Sequence, residues 1–200
     1  MRDAGSTAAV LEEWTQHLYG EHDAVAHTDV RAGSWIYRVF LLRNTLQVDL
    51  AFVPQADFRP LGPTFRMVFG EAGEAMVFGA PDAAGLIGMA WLHALHVRST
   101  IARGKLWQAA YMINGTRAQV LLLACLRHGL STYHARGYDQ LPPEVLQPLE
   151  ASIPRELRAE ELRRAFAVVV EALQREVAAA DAALAEKIEA PLLELASPVF

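Results

Sequence analysis

The pattern of apolar and polar positions changes once along the chain, near residue 80. Before that point, runs of β-branched, aromatic and alternating residues are short and separated by turn residues, which is typical of strands. Arg43-Asn44-Thr45 joins the second and third runs, so we expect these two runs to form a hairpin. The predicted strands are residues 23–29, 35–42 and 46–53.

Two further segments complete the N-terminal part. Ser6 or Thr7 is placed to cap a first helix that runs to about Tyr19, with Gly5-Ser6 interpreted as a loop and cap. Residues 54–79 are rich in proline, glycine and phenylalanine, too apolar for a free linker and too broken for a long element. We therefore expect this segment to cross the surface and to pack against the C-terminal part of the chain.

After Pro81 the periodicity becomes helical, and the predicted boundaries rest on residues with capping preferences: Asp82 and Asp181 at N-termini, Gly104 and Gly129 at C-termini. Pro154 suits the first turn of a long helix. The sequence thus predicts an α+β fold, with a small mixed sheet and helices over 1–80 and a helical bundle over 81–200. The predicted helices are 82–102, 106–128, 143–151, 154–179 and 181–195, the last interrupted or restarted at Pro191.

Composition narrows the classes of function. The apolar share is 52% and the net charge is −5, so no strong field draws the chain to nucleic acid or to an anionic membrane. Cys125 is the single cysteine, which excludes a disulfide framework within one chain. No apolar stretch is interpreted as long enough to span a bilayer, and no signal-peptide pattern opens the chain. We therefore expect a soluble cytoplasmic protein.

Asp49 is the first candidate for chemistry, because it lies in the apolar run 46–53. A carboxylate in a strand with a buried face is costly unless a cation or a hydrogen-bond donor meets it. An ion pair with Arg38 or Arg43 across the hairpin would satisfy it. A divalent metal would do so equally well.

The motifs around Asp49 resemble those of a known superfamily. Gln47-Val48-Asp49-Leu50-Ala51-Phe52, after Tyr37-Arg38-Val39-Phe40-Leu41, resembles the strand that carries the third metal-binding carboxylate of nucleotidyltransferase-fold proteins. The segment Phe65-Arg66-x-x-Phe69-Gly70 comes next, and Arg103-Gly104-Lys105-Leu106-Trp107-Gln108-Ala109-Ala110-Tyr111 is similar to a helix junction of the aminoglycoside and lincosamide enzymes. The resemblance implies transfer of a nucleoside monophosphate, AMP from ATP, to a hydroxyl of a small molecule. It also implies Mg²⁺ as cofactor, with Asp49 as metal ligand or base.

The strongest signature of that superfamily is missing from these residues. A Gly-Ser turn followed by an Asp-x-Asp strand is expected upstream of the first helix, and no Asp-x-Asp follows Gly5-Ser6, while Asp3 precedes it. Two-metal transfer needs several carboxylates, so one aspartate cannot build the site. We therefore expect the chain to be a poor catalyst or none. The alternative is a non-catalytic binding or assembly protein that keeps the fold, with an unpaired sheet edge that would favour a homodimer.

Other candidate residues each carry a second interpretation. Arg66 could reach a phosphate, or its stem could cover neighbouring phenylalanines. Arg103 and Lys105 could bind a substrate anion, or they could complement a helix dipole. Trp107 and Tyr111 share a helix face and could line an acceptor pocket by stacking, although such pairs more often pack in a core.

Two histidine patterns are also present. His93 and His96 lie three apart on a predicted helix, but no third metal ligand accompanies them, so hydrogen-bonded or surface histidines are the simpler interpretation. Arg127 and His134 weakly resemble the Arg-His motif of HEPN ribonuclease domains. Because they straddle Gly129 rather than share one helix, we interpret the match as coincidence.

Overall fold

In a computed structural model the protein has an α+β fold, as the sequence predicts. The structure describes residues 4–62, 64–76 and 79–197, and the side chains from residue 7 onward within those ranges. The chain divides into two compact units, Met1–Phe78 and Gly79–Phe200. The first combines a helix with a small sheet, and the second is a bundle of helices.

The N-terminal unit contains an antiparallel sheet of three strands in the order β1-β2-β3. The second and third strands form the predicted hairpin, in which Val39 lies opposite Asp49. The first strand pairs with the second across the Gly33-Ser34 turn. The elements are α1 (Ala4–Glu21), β1 (Ala24–Ala32), β2 (Trp35–Leu42) and β3 (Gln47–Phe52).

Helix α1 begins earlier than predicted. Its first residue is Ala4, so Gly5, Ser6 and Thr7 lie inside the helix, and the interpretation of Gly5-Ser6 as a loop and cap is wrong. The segment from Ala4 to Ala9 contains three alanines, the residue type with the highest helix propensity. Asp3 lies outside the described residues.

One face of the sheet packs against α1. Phe40 is fully buried there with Leu18 and Ala24, and partly buried side chains of β2 and β3 surround them: Leu42, Val48 and Leu50. Because a sheet face of this size buries few side chains, the apolar core of the unit is small.

The segment after β3 has little regular structure. A single 3-10 turn, Gln55–Asp57, is followed by irregular backbone that folds back on itself, since the Gly73 amide donates to the Phe58 carbonyl at 2.9 Å. The Phe58 ring also contacts the rings of Trp35 and Phe65, with centroids 6.5 and 5.9 Å apart. Pro63, Val77 and Phe78, which belong to the predicted segment 54–79, lie outside the described residues.

The helical unit confirms most of the predicted boundaries. Asp82 accepts hydrogen bonds from the amides of Ala84 and Gly85, and Asp181 accepts one from Leu184 at 2.9 Å. Gly104 and Gly129 have φ of +66° and +65°, the left-handed conformation that ends a helix. The helices are α2 (Ala83–Ala102), α3 (Leu106–Arg127), α4 (Pro143–Glu150), α5 (Ala159–Ala180) and α6 (Ala182–Ala196), which continues through Pro191.

The start of α5 was predicted wrongly. The helix begins at Ala159 rather than at Pro154. Hydrogen bonds from within the helix hold the preceding loop: Glu161 accepts from the Arg155 amide at 2.8 Å, and Arg164 donates to the Ala151 carbonyl at 2.6 Å. These contacts join residues 6 and 13 apart and stabilise the turns and bends that precede the helix. We infer that they outweigh the local preference of proline for a first helical turn.

The core of the bundle lies mainly between α2, α3 and α5. Among the described helices, α3 is long and apolar enough to cross a membrane by length and composition alone, which corrects the expectation that no stretch is long enough. Its side chains at Ile113, Val120 and Leu123 are buried in the bundle, and core helices share this composition. The length of α3 is therefore weak evidence for a membrane span.

Candidate functional site

Asp49 lies on the open face of the sheet. Strand β3 alternates strictly, with Val48, Leu50 and Phe52 partly buried and Gln47, Asp49 and Ala51 exposed. The expectation of a costly buried carboxylate is therefore wrong, because the period of two in a strand places this residue opposite the covered face. The carboxylate is accessible to a ligand.

Neither expected guanidinium partner meets Asp49. Arg38 points to the covered face, where Nε and Nη2 donate to the carboxylate of Asp29 at 2.7 and 2.8 Å, and Nη1 donates to Thr15 Oγ1 at 2.7 Å. This hydrogen bonding lowers the pKa of Asp29 and raises the pKa of Arg38. Asp49 makes no hydrogen bond or ion pair with any described residue, and neither does Arg43 through its side chain.

Aromatic and aliphatic side chains surround Asp49 on the open face. Val39 lies directly opposite it, and Tyr37 lies opposite Ala51. The Tyr37 ring stacks on Trp35 with centroids 6.0 Å apart. A cavity of about 240 Å³ is lined in part by Gln47 and by Val39, the residue opposite Asp49, but not by Asp49 itself. The open face thus combines one free carboxylate with flat apolar surface.

The described residues do not form a metal site by themselves. No group of three or more His, Cys, Asp or Glu side chains is close enough to hold an ion anywhere in the ranges that the structure describes. Asp49 could supply one oxygen ligand, whereas magnesium takes six ligands from carboxylates, phosphates and waters. The carboxylate alone does not fit a resident Mg²⁺.

Arg66 belongs to the same unit and is exposed. It makes no hydrogen bond or ion pair with the described residues. Phe69 is 86% exposed, so the Arg66 stem does not cover it, and Phe65 is held instead by the Phe58 ring. The guanidinium is free to meet an anion.

Arg103 and Lys105 flank the turn between α2 and α3 in the helical unit. Arg103 donates from Nε to the Ser99 carbonyl at 3.0 Å and from Nη2 to Ser99 Oγ at 2.9 Å. These contacts support the helix-end interpretation of Arg103, since a cation there meets unpaired carbonyls. Lys105 is exposed and makes no side-chain hydrogen bond or ion pair with described residues.

Trp107 and Tyr111 lie on the surface of α3. They are 81% and 70% exposed, so the prediction that such a pair packs in a core is wrong here. The core face of this helix turn is formed by Ala109 and Ile113 instead. Because residues four apart share a helix face, the two rings offer adjacent stacking surfaces.

The two histidine patterns form no site. His96 is exposed, whereas the Nδ1 atom of His93 is buried against Gly115 and has no hydrogen-bond partner among the described residues. Arg127 is bound to Glu176, and His134 stacks on Tyr133 with ring centroids 4.0 Å apart. The Arg127 guanidinium is therefore held by an ion pair, and the interpretation of the Arg127 and His134 match as coincidence stays a prediction.

Comparison with known proteins gives one informative result. No family model matches the chain, and no curated protein matches it. Among solved structures it is similar to an aminoglycoside 6-adenyltransferase from Bacillus subtilis, with a TM-score of 0.50 and 13% identity. The similarity covers 99% of this chain and 86% of that one. At this identity the likeness is one of fold alone: the chain is similar in fold to that adenyltransferase.

Proposed function

We propose that the chain is a nucleotidyltransferase-like protein, whose family reaction moves AMP from ATP to a hydroxyl of a small molecule. Two observations support this proposal. The fold is similar to that of an adenyltransferase. On that fold, β3 carries an accessible carboxylate, Asp49, in the strand whose sequence resembles the site strand of the superfamily. The free carboxylate is the observation on which the proposal depends.

Asp49 would act on the acceptor. A carboxylate oxygen within hydrogen-bond reach of a hydroxyl can orient it and take its proton as the oxygen attacks phosphorus. No neighbouring cation holds Asp49 in the described part of the chain, so both of its oxygens are available. Mg²⁺ would arrive with the triphosphate, and we assign no step to it because the described residues do not fit a metal site.

The other candidates supply charge and flat surface. Within the N-terminal unit, Arg66 is an exposed cation suited to phosphate oxygens. Within the helical unit, considered by itself, Lys105 is also an exposed cation, whereas Arg103 is less free because it binds Ser99. Trp107 and Tyr111 offer ring faces to an acceptor or to a base. We place the protein in the cytoplasm, with a nucleotide and a small molecule as partners and no nucleic acid.

Turnover by these 200 residues is expected to be slow or absent. Two-metal transfer uses several carboxylates to hold the ions beside the phosphates. The sequence contains no Asp-x-Asp, and Asp49 is the single acidic residue of β3. Binding of nucleotide with Mg²⁺ is therefore a better test of the proposal than catalysis.

The test is calorimetric titration of the chain with ATP and Mg²⁺, comparing wild type with Asp49→Asn. The variant keeps the side-chain shape and removes the charge. We expect its affinity for ATP with Mg²⁺ to fall about tenfold, because the Asp49 carboxylate would supply one oxygen ligand to the ion that arrives with the triphosphate. A tenfold change corresponds to about 1.4 kcal/mol of binding free energy. Asp139→Asn is the matched control, because Asp139 is also exposed and unpaired among described residues but belongs to the helical unit. Equal binding by wild type and Asp49→Asn would overturn the role of Asp49.

A second candidate function is a non-catalytic assembly protein. Strands β1 and β3 each pair on one side only within the described sheet, and unpaired edges favour association. The open face also exposes Val30 and Leu41. A dimer by sedimentation that dissociates in Leu41→Glu, together with no heat in the nucleotide titration, would favour assembly over transfer.

A further inference from the structure

A cavity of about 300 Å³ lies within the helical unit, between α3, α4 and α5. It shares no lining residue with the proposed nucleotide site. Its lining falls into two classes, an aliphatic floor and a charged rim. The floor includes Val120, Val145, Leu149 and Ala172. The rim consists of Arg127, Glu144, Arg175 and Glu176.

Two of the four rim charges neutralise each other. Arg127 donates from Nη2 and Nε to the two carboxylate oxygens of Glu176 at 2.7 and 3.0 Å. The Glu176 side chain is only 8% exposed, so this bidentate pair is fixed in the wall of the cavity. The hydrogen bond to Glu176 raises the pKa of Arg127. Neither group needs a ligand to balance its charge.

The other two rim charges make no short polar contact. Arg175 comes from α5 and Glu144 from α4, and neither makes a hydrogen bond or ion pair with any residue that the structure describes. Glu144 lies near enough to Arg127 for its charge to help raise the pKa of that arginine, but Arg127 gives its hydrogen bonds to Glu176. Both Arg175 and Glu144 are exposed at the mouth rather than buried. The cavity therefore presents at its rim one cation and one anion with open hydrogen-bonding capacity, above an aliphatic floor.

The charges of the rim and the aliphatic floor indicate the class of ligand that the cavity suits. A free carboxylate would meet Arg175 and a free ammonium would meet Glu144, each as a charge-assisted hydrogen bond. An aliphatic side chain would bury against Val145 and Leu149, which stabilises it in proportion to the apolar area removed from water. Small-molecule pockets combine apolar lining with a few polar groups in this way, at volumes from about 300 Å³ upward.

We propose that this cavity binds a free aliphatic α-amino acid. The carboxylate is recognised by Arg175, the ammonium by Glu144 and the side chain by the floor of the cavity. A purely anionic ligand would leave Glu144 without a hydrogen-bond partner, and a purely cationic one would leave Arg175 without one. A zwitterion uses both charges.

The test is titration of the full chain with three probes: L-leucine, L-leucinamide and 4-methylpentanoate. The amide lacks the carboxylate and the acid lacks the ammonium. We expect L-leucine to bind at least about tenfold more tightly than either analogue. Chemical-shift mapping in the same titration is expected to report amides of the cavity lining, including Ala172 and Glu176.

Two variants test which side chain recognises which charged group of the ligand. Arg175→Gln is expected to weaken L-leucine about tenfold and to abolish the preference for leucine over leucinamide, because the carboxylate then has no partner. Glu144→Gln is expected to abolish the preference over 4-methylpentanoate. Arg163→Gln is the matched control, since Arg163 is an exposed arginine of the same helix with no described ion pair and lies outside the cavity.

Three results would overturn the proposal. The first is failure of L-leucine to bind wild type at a concentration of about 10 mM, a level that reveals even weak association. The second is equal affinity for leucine and both analogues. The third is binding that Arg175→Gln and Glu144→Gln leave unchanged. None of these results bears on nucleotide binding at Asp49, which is tested separately.

Discussion

The two units of the chain bury their apolar side chains to different extents. In the N-terminal unit the buried apolar core consists of Leu18, Ala24 and Phe40. The helical unit buries a continuous core between α2, α3 and α5, built around large side chains such as Phe166 and Leu162. Because hydrophobic stabilisation scales with buried apolar area, the helical unit is the stable scaffold and the sheet is the marginal part.

The difference has a functional consequence. A sheet covered on one face leaves the other face open, and that open face carries Asp49. In the helical unit the free charges instead lie above a packed core, at the mouth of a cavity. Marginal stability and an accessible carboxylate therefore have the same cause, the uncovered face of the sheet.

The largest expected difference in stability between the two units should follow removal of one large core side chain from each unit. Phe→Ala substitutions in cores cost about 3–5 kcal/mol. We expect Phe40→Ala to unfold the N-terminal unit, because its core has so few other members, while Phe166→Ala weakens the bundle without unfolding it. Hydrogen exchange followed by mass spectrometry measures each unit separately. Loss of protection across both units in Phe40→Ala would contradict this comparison.

Breaking the ion pair between Arg127 and Glu176 in the helical unit should have the next largest effect on stability. Glu176→Gln removes the charge that holds Arg127 in the cavity wall and is expected to lower the free energy of unfolding by about 1–3 kcal/mol. Glu171→Gln is the control, since Glu171 is an exposed glutamate of α5. Urea denaturation of the three proteins measures the difference. An equal effect of both substitutions would show that the pair contributes nothing beyond surface charge.

The ion pair of the N-terminal unit makes that unit sensitive to acid. Hydrogen bonding from Arg38 lowers the pKa of Asp29, so the folded state favours the charged carboxylate. This stability is fully present above the pKa of Asp29 in the unfolded chain and is lost as pH falls through its pKa in the folded chain.

We therefore expect Asp29→Asn to lower stability at neutral pH by about 1–2 kcal/mol and to flatten its decline in acid. Asp57→Asn is the control, because the Asp57–Arg59 contact is long, at 3.7 Å, and more exposed. Circular dichroism melts between neutral and acid pH measure both effects. A decline as steep in Asp29→Asn as in wild type would exclude Asp29 as its cause.

The smallest expected effect is a change in the pKa of one carboxyl group, that of Glu161. Hydrogen bonds from Arg164 and from the Arg155 amide lower the pKa of Glu161 to about 2. Carbon-detected NMR titration of the Glu161 carboxyl should find this value, and Arg164→Gln should raise it. Because the Glu161–Arg164 pair is only partly covered, little change in melting temperature is expected. An unchanged pKa in Arg164→Gln would assign the shift to the backbone hydrogen bond instead.

Local signals predicted most of the fold. Asp82, Asp181, Gly104 and Gly129 each act within a few residues, through a side-chain cap or a left-handed turn, so the helix boundaries that they mark were confirmed. The start of α5 was missed because hydrogen bonds hold the preceding residues in turns and bends: Glu161 accepts from the Arg155 amide and Arg164 donates to the Ala151 carbonyl. A cap acts between close neighbours in the chain, whereas these hydrogen bonds join residues 6 and 13 apart.

The site was harder to predict, for two different reasons. The exposure of Asp49 could have been predicted, since Gln47-Val48-Asp49-Leu50-Ala51-Phe52 alternates polar or small residues with large apolar ones. The exposure of Trp107 and Tyr111 could not, because α3 carries apolar residues on most of its faces. The pairing of Arg127 with Glu176 joins residues 49 apart and leaves no local signal.

The most direct test of the central claim is chemical-shift mapping of the ¹⁵N-labelled chain during titration with ATP and Mg²⁺. Our account predicts that the amides of β3 around Asp49, and of Val39 opposite it, shift with a common saturation curve that Asp49→Asn weakens. Shifts confined to other parts of the chain, or none on β3, would contradict the proposal that the open sheet face is the nucleotide site.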